Sequence, residues 1–264
     1  TLTKQAKTDA TIGDVHKTVI PGLSAVYCPN YKRIFYDPDK MKPRIQRALD
    51  AAVGWQNGIT DVIGADIIQF AEYPKTNHEI IDWLDRLEAM DCDLTADIET
   101  FSLKHYSAGI GTITFCWNKH EGIAFPVDYV SMSDPNDKTV KGEGVINEEV
   151  RARLKKFFMT HTKRMIWHNV SFDVYVLVYQ LFMDDILDQE GLLYGLEVLL
   201  KRWECSQLIS YLATNSCAGN ELGLKVQAQE FAGNYAVTDI NDITKIPLDD
   251  LLKYSLIDGL ATWF

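Results

Sequence analysis

The chain has 264 residues, 47% hydrophobic and 24% charged, enough apolar content for one large domain or two smaller ones with a real core. Its net charge of −11 argues against a generic basic nucleic-acid coat, although bound divalent cations can supply local positive charge to a nucleic-acid enzyme. No apolar run approaches the length of a membrane span, and no secretory signal stands at the start. Five cysteines, at 28, 92, 116, 205 and 217, form neither C-x-x-C nor a zinc-type cluster with histidine. That pattern fits free thiols in a reducing, cytoplasmic compartment.

Residues 1–20 are polar, rich in Thr and Lys, and expected to be loose. A short extended region is expected around "AVYC" and "RIFYD". Helices follow in "DPDKMKPRIQRALDAAVGW" and "NHEIIDWLDRLEAM", where apolar residues recur at helical spacing. No catalytic constellation is visible in residues 1–90, which read as a mostly helical extension without an assigned role.

From residue 93 the texture changes. "DLTADIETF", "GIGTITFCWN" and "EGIAFPVDYV" predict three strands separated by turn residues. "NEEVRARLKKFFMT" predicts an amphipathic helix with Asn147 at its N-cap. "RMIWHN" predicts a buried strand and "SFDVYVLVYQLF" a buried helix, with further helices around 203–214, 222–232 and 248–264. The fold class expected is α/β, a mixed central sheet with helices packed on it.

Alternation in "CDLTADIETFSL" puts Leu94, Ala96 and Ile98 on one face and Asp97 and Glu99 together on the other. Two such carboxylates repel, and a divalent cation removes the repulsion. Hard oxygen ligands on a rigid strand suit Mg²⁺ or Mn²⁺. The Asp-x-Glu pattern recurs at Asp188/Glu190, inside the polar run "DDILDQEG", which is expected to be an exposed loop. "HNVSFD" places Asn169 and Asp173 at a strand-to-helix junction, where a cap and a favourable first-turn carboxylate are the alternative explanation. Its Asn-x-x-x-Asp pattern recurs at Asn57/Asp61. "YSLID" places Tyr254 and Asp258 at i and i+4 on one helix face, away from a stripe of Leu252, Leu256, Leu260 and Trp263. Its pattern recurs at Tyr235/Asp239. Each motif alone is close to chance. Only Asp97/Glu99 is followed in order by an Asn-x-x-x-Asp and then a Tyr-x-x-x-Asp.

This ordered set resembles the three exonuclease motifs of the DEDD superfamily of 3′→5′ exonucleases, in the form whose third motif carries Tyr. "DIETFSL", "HNVSFD" and "YSLIDGLAT" are similar to the motifs of the proofreading domain of bacterial and phage family A DNA polymerases. "CSQLISYLATNSCAGNELGLKVQAQEFAG" is similar to the segment linking the last two. The resemblance covers about residues 92–264, and the exonuclease domain is expected over 91–264. It implies a ribonuclease-H-like exonuclease fold and two divalent cations, Mg²⁺ or Mn²⁺, held by Asp97, Glu99, Asp173 and Asp258. Tyr254 corresponds to the tyrosine that orients the attacking water. Thr100 and Asn169 correspond to positions that help hold the 3′-terminal nucleotide, and Leu103 to a leucine that wedges against its base. For Leu103 a loop hydrophobe folded onto the core weighs equally, and for Lys104 and His105 a solvated turn is preferred over phosphate contact.

The chain departs from the family at Cys205–Ser206, where Asp often precedes Thr, and near Ile240, where some relatives carry a DNA-gripping aromatic. Tyr235 or Phe231 are candidates to replace that aromatic. The function implied is hydrolysis of single-stranded or frayed DNA 3′ ends to nucleoside 5′-monophosphates, proofreading for a polymerase domain in the same chain or in trans. Because "DGLATWF" stops in mid-helix, the chain is expected to be part of a longer polymerase from a bacterial or phage-infected cell. The alternatives are a free-standing ribonuclease D-like exonuclease on RNA or DNA, and a catalytically silent nucleic-acid-binding module of the same fold.

Overall fold

A computed structural model describes residues 12–58, 64, 66–132, 137–214, 222–233 and 240–264. Its backbone divides into two compact units, Thr1–Ala65 and Asp66–Phe264. In the first unit, β1 (Val15–Lys17) pairs antiparallel with β2 (Ser24–Val26), and α1 (Pro38–Gln56) buries Met41 and Ala48. The stretch "RIFYD", expected to be extended, instead belongs to a 3₁₀ helix over Tyr31–Phe35. The Asn30 side chain accepts the Lys32 N–H at 3.0 Å, a local bond that favours a turn over a strand despite the aromatic content.

The second unit is built on a six-stranded mixed sheet. Its strands are β3 (Phe70–Glu72), β4 (Leu94–Glu99), β5 (Thr112–Asn118), β6 (Glu121–Pro126), β9 (Met165–Trp167) and β10 (Trp203–Cys205), in the order β10-β9-β4-β5-β6-β3. β4, β5 and β6, the three strands expected, pair as an antiparallel meander, while β9, β10 and β3 add in parallel. A separate ribbon pairs β7 (Tyr129–Ser131) with β8 (Gly142–Gly144). The mixed α/β class with helices flanking a central sheet is the one expected. No helix among the described residues is long and apolar enough to cross a membrane.

Strand alternation sorts the residues into two cores. Leu94, Ala96 and Ile98 of β4, with Ile113 and Phe115 of β5, join the larger one. It is completed by α2 (Asn77–Met90), α3 (Glu148–Thr160), α4 (Val170–Phe182) and α5 (Gln189–Leu199). Asn147 caps α3 as expected, accepting the Val150 N–H at 3.3 Å. Asp188, expected in a loop, caps α5 by accepting the Gly191 N–H at 2.8 Å, and Glu190 lies in the first turn of that helix. A cap residue and a loop residue share the same polar composition, which is why the run misleads.

On the opposite face, Cys116 and Ala124 meet Leu252, Leu256, Ile257 and Leu260 of the helix Leu248–Trp263. This helix is α9, following α6 (Ser206–Ala213), α7 (Leu224–Gln227) and α8 (Gln229–Ala232). It was expected to bury a leucine stripe and present Asp258 elsewhere. Instead Ser255 through Thr262 are all buried. The helix can sink this far because Gly259 has no side chain: a Cβ there would lie 2.7 Å from Thr114 Cγ2 and 2.9 Å from Cys116 Sγ. The Thr95 hydroxyl donates to the Gly259 carbonyl at 2.9 Å, fixing the register of helix on sheet. Gly259→Ala, which in an unconstrained helix gains up to about 1 kcal/mol, should here cost about 1–3 kcal/mol through overpacking. Urea denaturation reads the sign; a stabilised variant would contradict this packing.

Candidate metal centre

Asp97 and Glu99 lie on the face of β4 that looks toward α9, the same face as Thr95. Asp258 comes from α9, one residue before the close contact at Gly259. A carboxylate oxygen from each of Asp97, Glu99 and Asp258 lies within 4.8 Å of those from the other two. Asp173 enters from the first turn of α4. β9 pairs with β4 at Leu94 and Thr95, and further along that edge Asp173 Oδ1 accepts the Ile98 N–H at 3.3 Å. Asn169 makes the junction before α4 in the left-handed conformation, φ 59° and ψ 50°, which Asn tolerates better than most residues. It does not cap the helix with its side chain; its Oδ1 accepts the Ser171 hydroxyl at 3.2 Å.

The electrostatics are those of a centre short of positive charge. Burial, then the charges of Asp173, Glu99 and Asp258, raise the Asp97 carboxyl well above the ordinary range. Burial, then Asp258 and Asp173, push Glu99 up to about 8. Burial pushes Asp173 up to about 7, opposed by the Ile98 N–H. Burial and the neighbouring carboxylates also raise the Tyr254 phenol, so its proton stays in place at neutral pH. Three carboxylates with oxygens this close, with the charge of Asp173 acting on Asp97 and Glu99, are a donor set that fits a hard divalent cation, whose charge offsets both the desolvation and the mutual repulsion.

The pH dependence of the metal-free protein follows. Folded Glu99 and Asp173 retain protons that the unfolded chain releases near the ordinary carboxyl pKa of about 4. The folded state therefore binds more protons between about pH 4 and pH 8, and stability falls as pH rises through that window. In EDTA the melting temperature should drop from pH 5 to pH 8, and Mg²⁺ should restore it at pH 8. A rise over the same window would contradict these environments.

The remaining residues singled out from the sequence are scattered around this centre. Thr100 donates its hydroxyl to Ser102 O at 2.9 Å, closing the turn after β4. Leu103 is 87% exposed, so it is not folded onto the core. His105 begins a short 3₁₀ helix, and its ring packs against Tyr106, Tyr175 and Tyr179. Ser206 hydrogen-bonds His168 at 2.8 Å, and Cys205 is buried. Ile240 packs on the cluster of Tyr129, Ile243 and Leu251. Phe231 stacks on Phe264 with ring centroids 4.8 Å apart. Tyr235/Asp239 and Asp61 lie outside the described residues.

Sequence reasoning missed Lys225 on α7. Its ammonium donates to the Tyr254 hydroxyl and lies 4.8 Å from the ring centroid. A single lysine in "GLKVQ" carries no local signature; only the fold brings it here.

No protein-family model matches the chain, and no curated protein matches it. Several solved structures are similar. The RNase domain of the yeast Pop2 protein aligns with a TM-score of 0.43 and 10% identity, over 72% of this chain and 85% of that one. Escherichia coli RNase D, an exoribonuclease involved in structured RNA processing, aligns at 0.42 and 15% identity, over 72% of this chain and 42% of that one. Brucella melitensis NrnC bound to pGG aligns at 0.43 and 15% identity, over 74% of this chain and 76% of that one.

Proposed function

We propose that this chain is a metal-dependent 3′→5′ exonuclease of the ribonuclease-H-like DEDD type, with the activity carried by residues 91–264. The observation that carries the reading is convergence. Three motifs far apart in sequence, each close to chance alone, bring Asp97, Glu99 and Asp258 within 4.8 Å, with Asp173 raising Asp97 and Glu99 electrostatically. The substrate proposed is a single-stranded or frayed DNA 3′ end, and the setting proposed is proofreading for a family A polymerase in the cytoplasm of a bacterial or phage-infected cell. That finer placement rests on the wording of the motifs, "DIETFSL" above all.

The four carboxylates would hold Mg²⁺ or Mn²⁺, which when bound supplies an activated water and offsets charge on the leaving oxygen. The charges of Asp173, Glu99 and Asp258 all act on Asp97, as expected of a shared ligand. Asp173 keeps one oxygen on the Ile98 N–H, which fixes its orientation and leaves the other to ligate. Glu99 and Asp258 face each other across the strand–helix contact. Tyr254 holds its proton, so it acts as a hydrogen-bonding orienter of water rather than as a base. Leu103, exposed at the end of the first motif, is available to meet the terminal base, with Thr100 and Asn169 beside the 3′-terminal nucleotide.

Tyr254→Phe should lower kcat ~10–100-fold with little change in KM, since orientation acts in the transition state. Steady-state kinetics on a short oligonucleotide decide this; unchanged turnover removes Tyr254 from the mechanism. Matched DNA and RNA oligonucleotides test the substrate class. Faster removal of deoxynucleotides is expected, and a preference for RNA would replace proofreading with the ribonuclease D-like reading.

A further inference from the structure

A lysine ammonium acts on the carboxylate cluster from α7. α7 packs on α9 and turns Lys225 toward Tyr254. The ammonium donates to the phenol oxygen and lies at the hydroxyl end of the ring, 4.8 Å from its centroid. Asp258, one turn further along α9, raises the Tyr254 phenol, so the carboxylate and the ammonium both act on the same side chain. The positive charge of Lys225 also reaches Asp97 and Glu99, where it opposes the repulsion of their neighbours.

We propose that Lys225 is a positioning residue of this centre, whose ammonium fixes the Tyr254 hydroxyl and serves as a built-in counter-cation that an incoming divalent ion must work against. The inference rests on the reading of the four carboxylates as cation ligands. It carries two consequences of opposite sign. Without metal, Lys225 stabilises the folded protein by offsetting part of the carboxylate repulsion. With metal, the same charge repels the ion, so its removal tightens ion binding. A lysine that only packed against the tyrosine would produce the first effect but not the second.

Calorimetric titration of the purified chain with Mn²⁺ alone distinguishes these. Lys225→Met and Lys225→Gln should each bind Mn²⁺ roughly tenfold more tightly than wild type, about 1.4 kcal/mol. Lys225→Arg, which keeps the charge, should stay within about threefold of wild type. Affinity unchanged or weakened in both neutral variants overturns the proposal; having two of them guards against one that fails to fold, checked by circular dichroism. A second arm needs no metal. In EDTA, Lys225→Gln should lower the melting temperature more in the wild-type background than in Glu99→Gln, because one carboxylate it opposes is gone. Equal drops overturn the counter-cation role. If wild type binds no Mn²⁺, the metal-centre reading falls, and the EDTA cycle still decides Lys225.

Discussion

On the proposed function, Asp97→Ala should reduce nucleic-acid hydrolysis by about 10³-fold or more, because it removes the carboxylate on which Asp173, Glu99 and Asp258 all act. The same change should leave the fold intact. Asp97 is half-buried among like charges, and its loss relieves repulsion on Glu99, Asp173 and Asp258. The melting temperature in EDTA at pH 8 should therefore equal or exceed that of wild type, the trade between stability and function expected at a site built from mutually repelling groups. Single-turnover digestion and a thermal melt measure the two effects on one preparation. Digestion at the wild-type rate would remove Asp97 from the centre.

Asp128→Ala should cost about 3–5 kcal/mol of folding stability. Asp128 is 2% exposed. Its carboxylate accepts the Ile110 N–H at 2.9 Å, the Asn147 N–H at 3.2 Å and the Arg151 Nε–H at 2.9 Å, with a second bond from Arg151 Nη2. Arg151 also donates to the Gln180 side chain at 3.0 Å. One carboxylate thus ties the approach to β5, the start of α3 and, through Arg151, the last turn of α4. Truncating it strands a buried guanidinium and two backbone donors together. Asp128→Leu combined with Arg151→Met should recover part of the loss, because no charge is then left unpaired. Urea denaturation of the single and double variants checks both numbers; a single variant within about 0.5 kcal/mol of wild type would show the pair to be dispensable.

Period carried the sequence reading where neighbours in sequence are also neighbours in space. The alternation of Leu94, Ala96 and Ile98 against Asp97 and Glu99 is realised on β4, with the apolar set in one core and the carboxylates facing α9. The capped start of α3 and the strands β4, β5 and β6 were legible for the same reason. The ordering of the three motifs anticipated which carboxylates would meet, although nothing local to Asp173 or Asp258 indicates a partner. Features made by distant residues were not legible. The burial of α9 around Asp258 depends on Gly259 meeting Thr114 and Cys116, and the Asp128–Arg151 pair joins a turn to a helix. Lys225 reaches Tyr254 across 29 residues of chain. At Tyr31–Phe35 a strand-like composition lost to a single Asn30 side-chain bond.

The most direct measurement of the central claim is a time course on 5′-labelled single-stranded DNA, run in Mg²⁺ and in excess EDTA. The account predicts a ladder shortened one nucleotide at a time from the 3′ end, release of nucleoside 5′-monophosphates, and arrest in EDTA. Cleavage at internal positions, equal digestion in EDTA, or no shortening in Mg²⁺ or Mn²⁺ would contradict it.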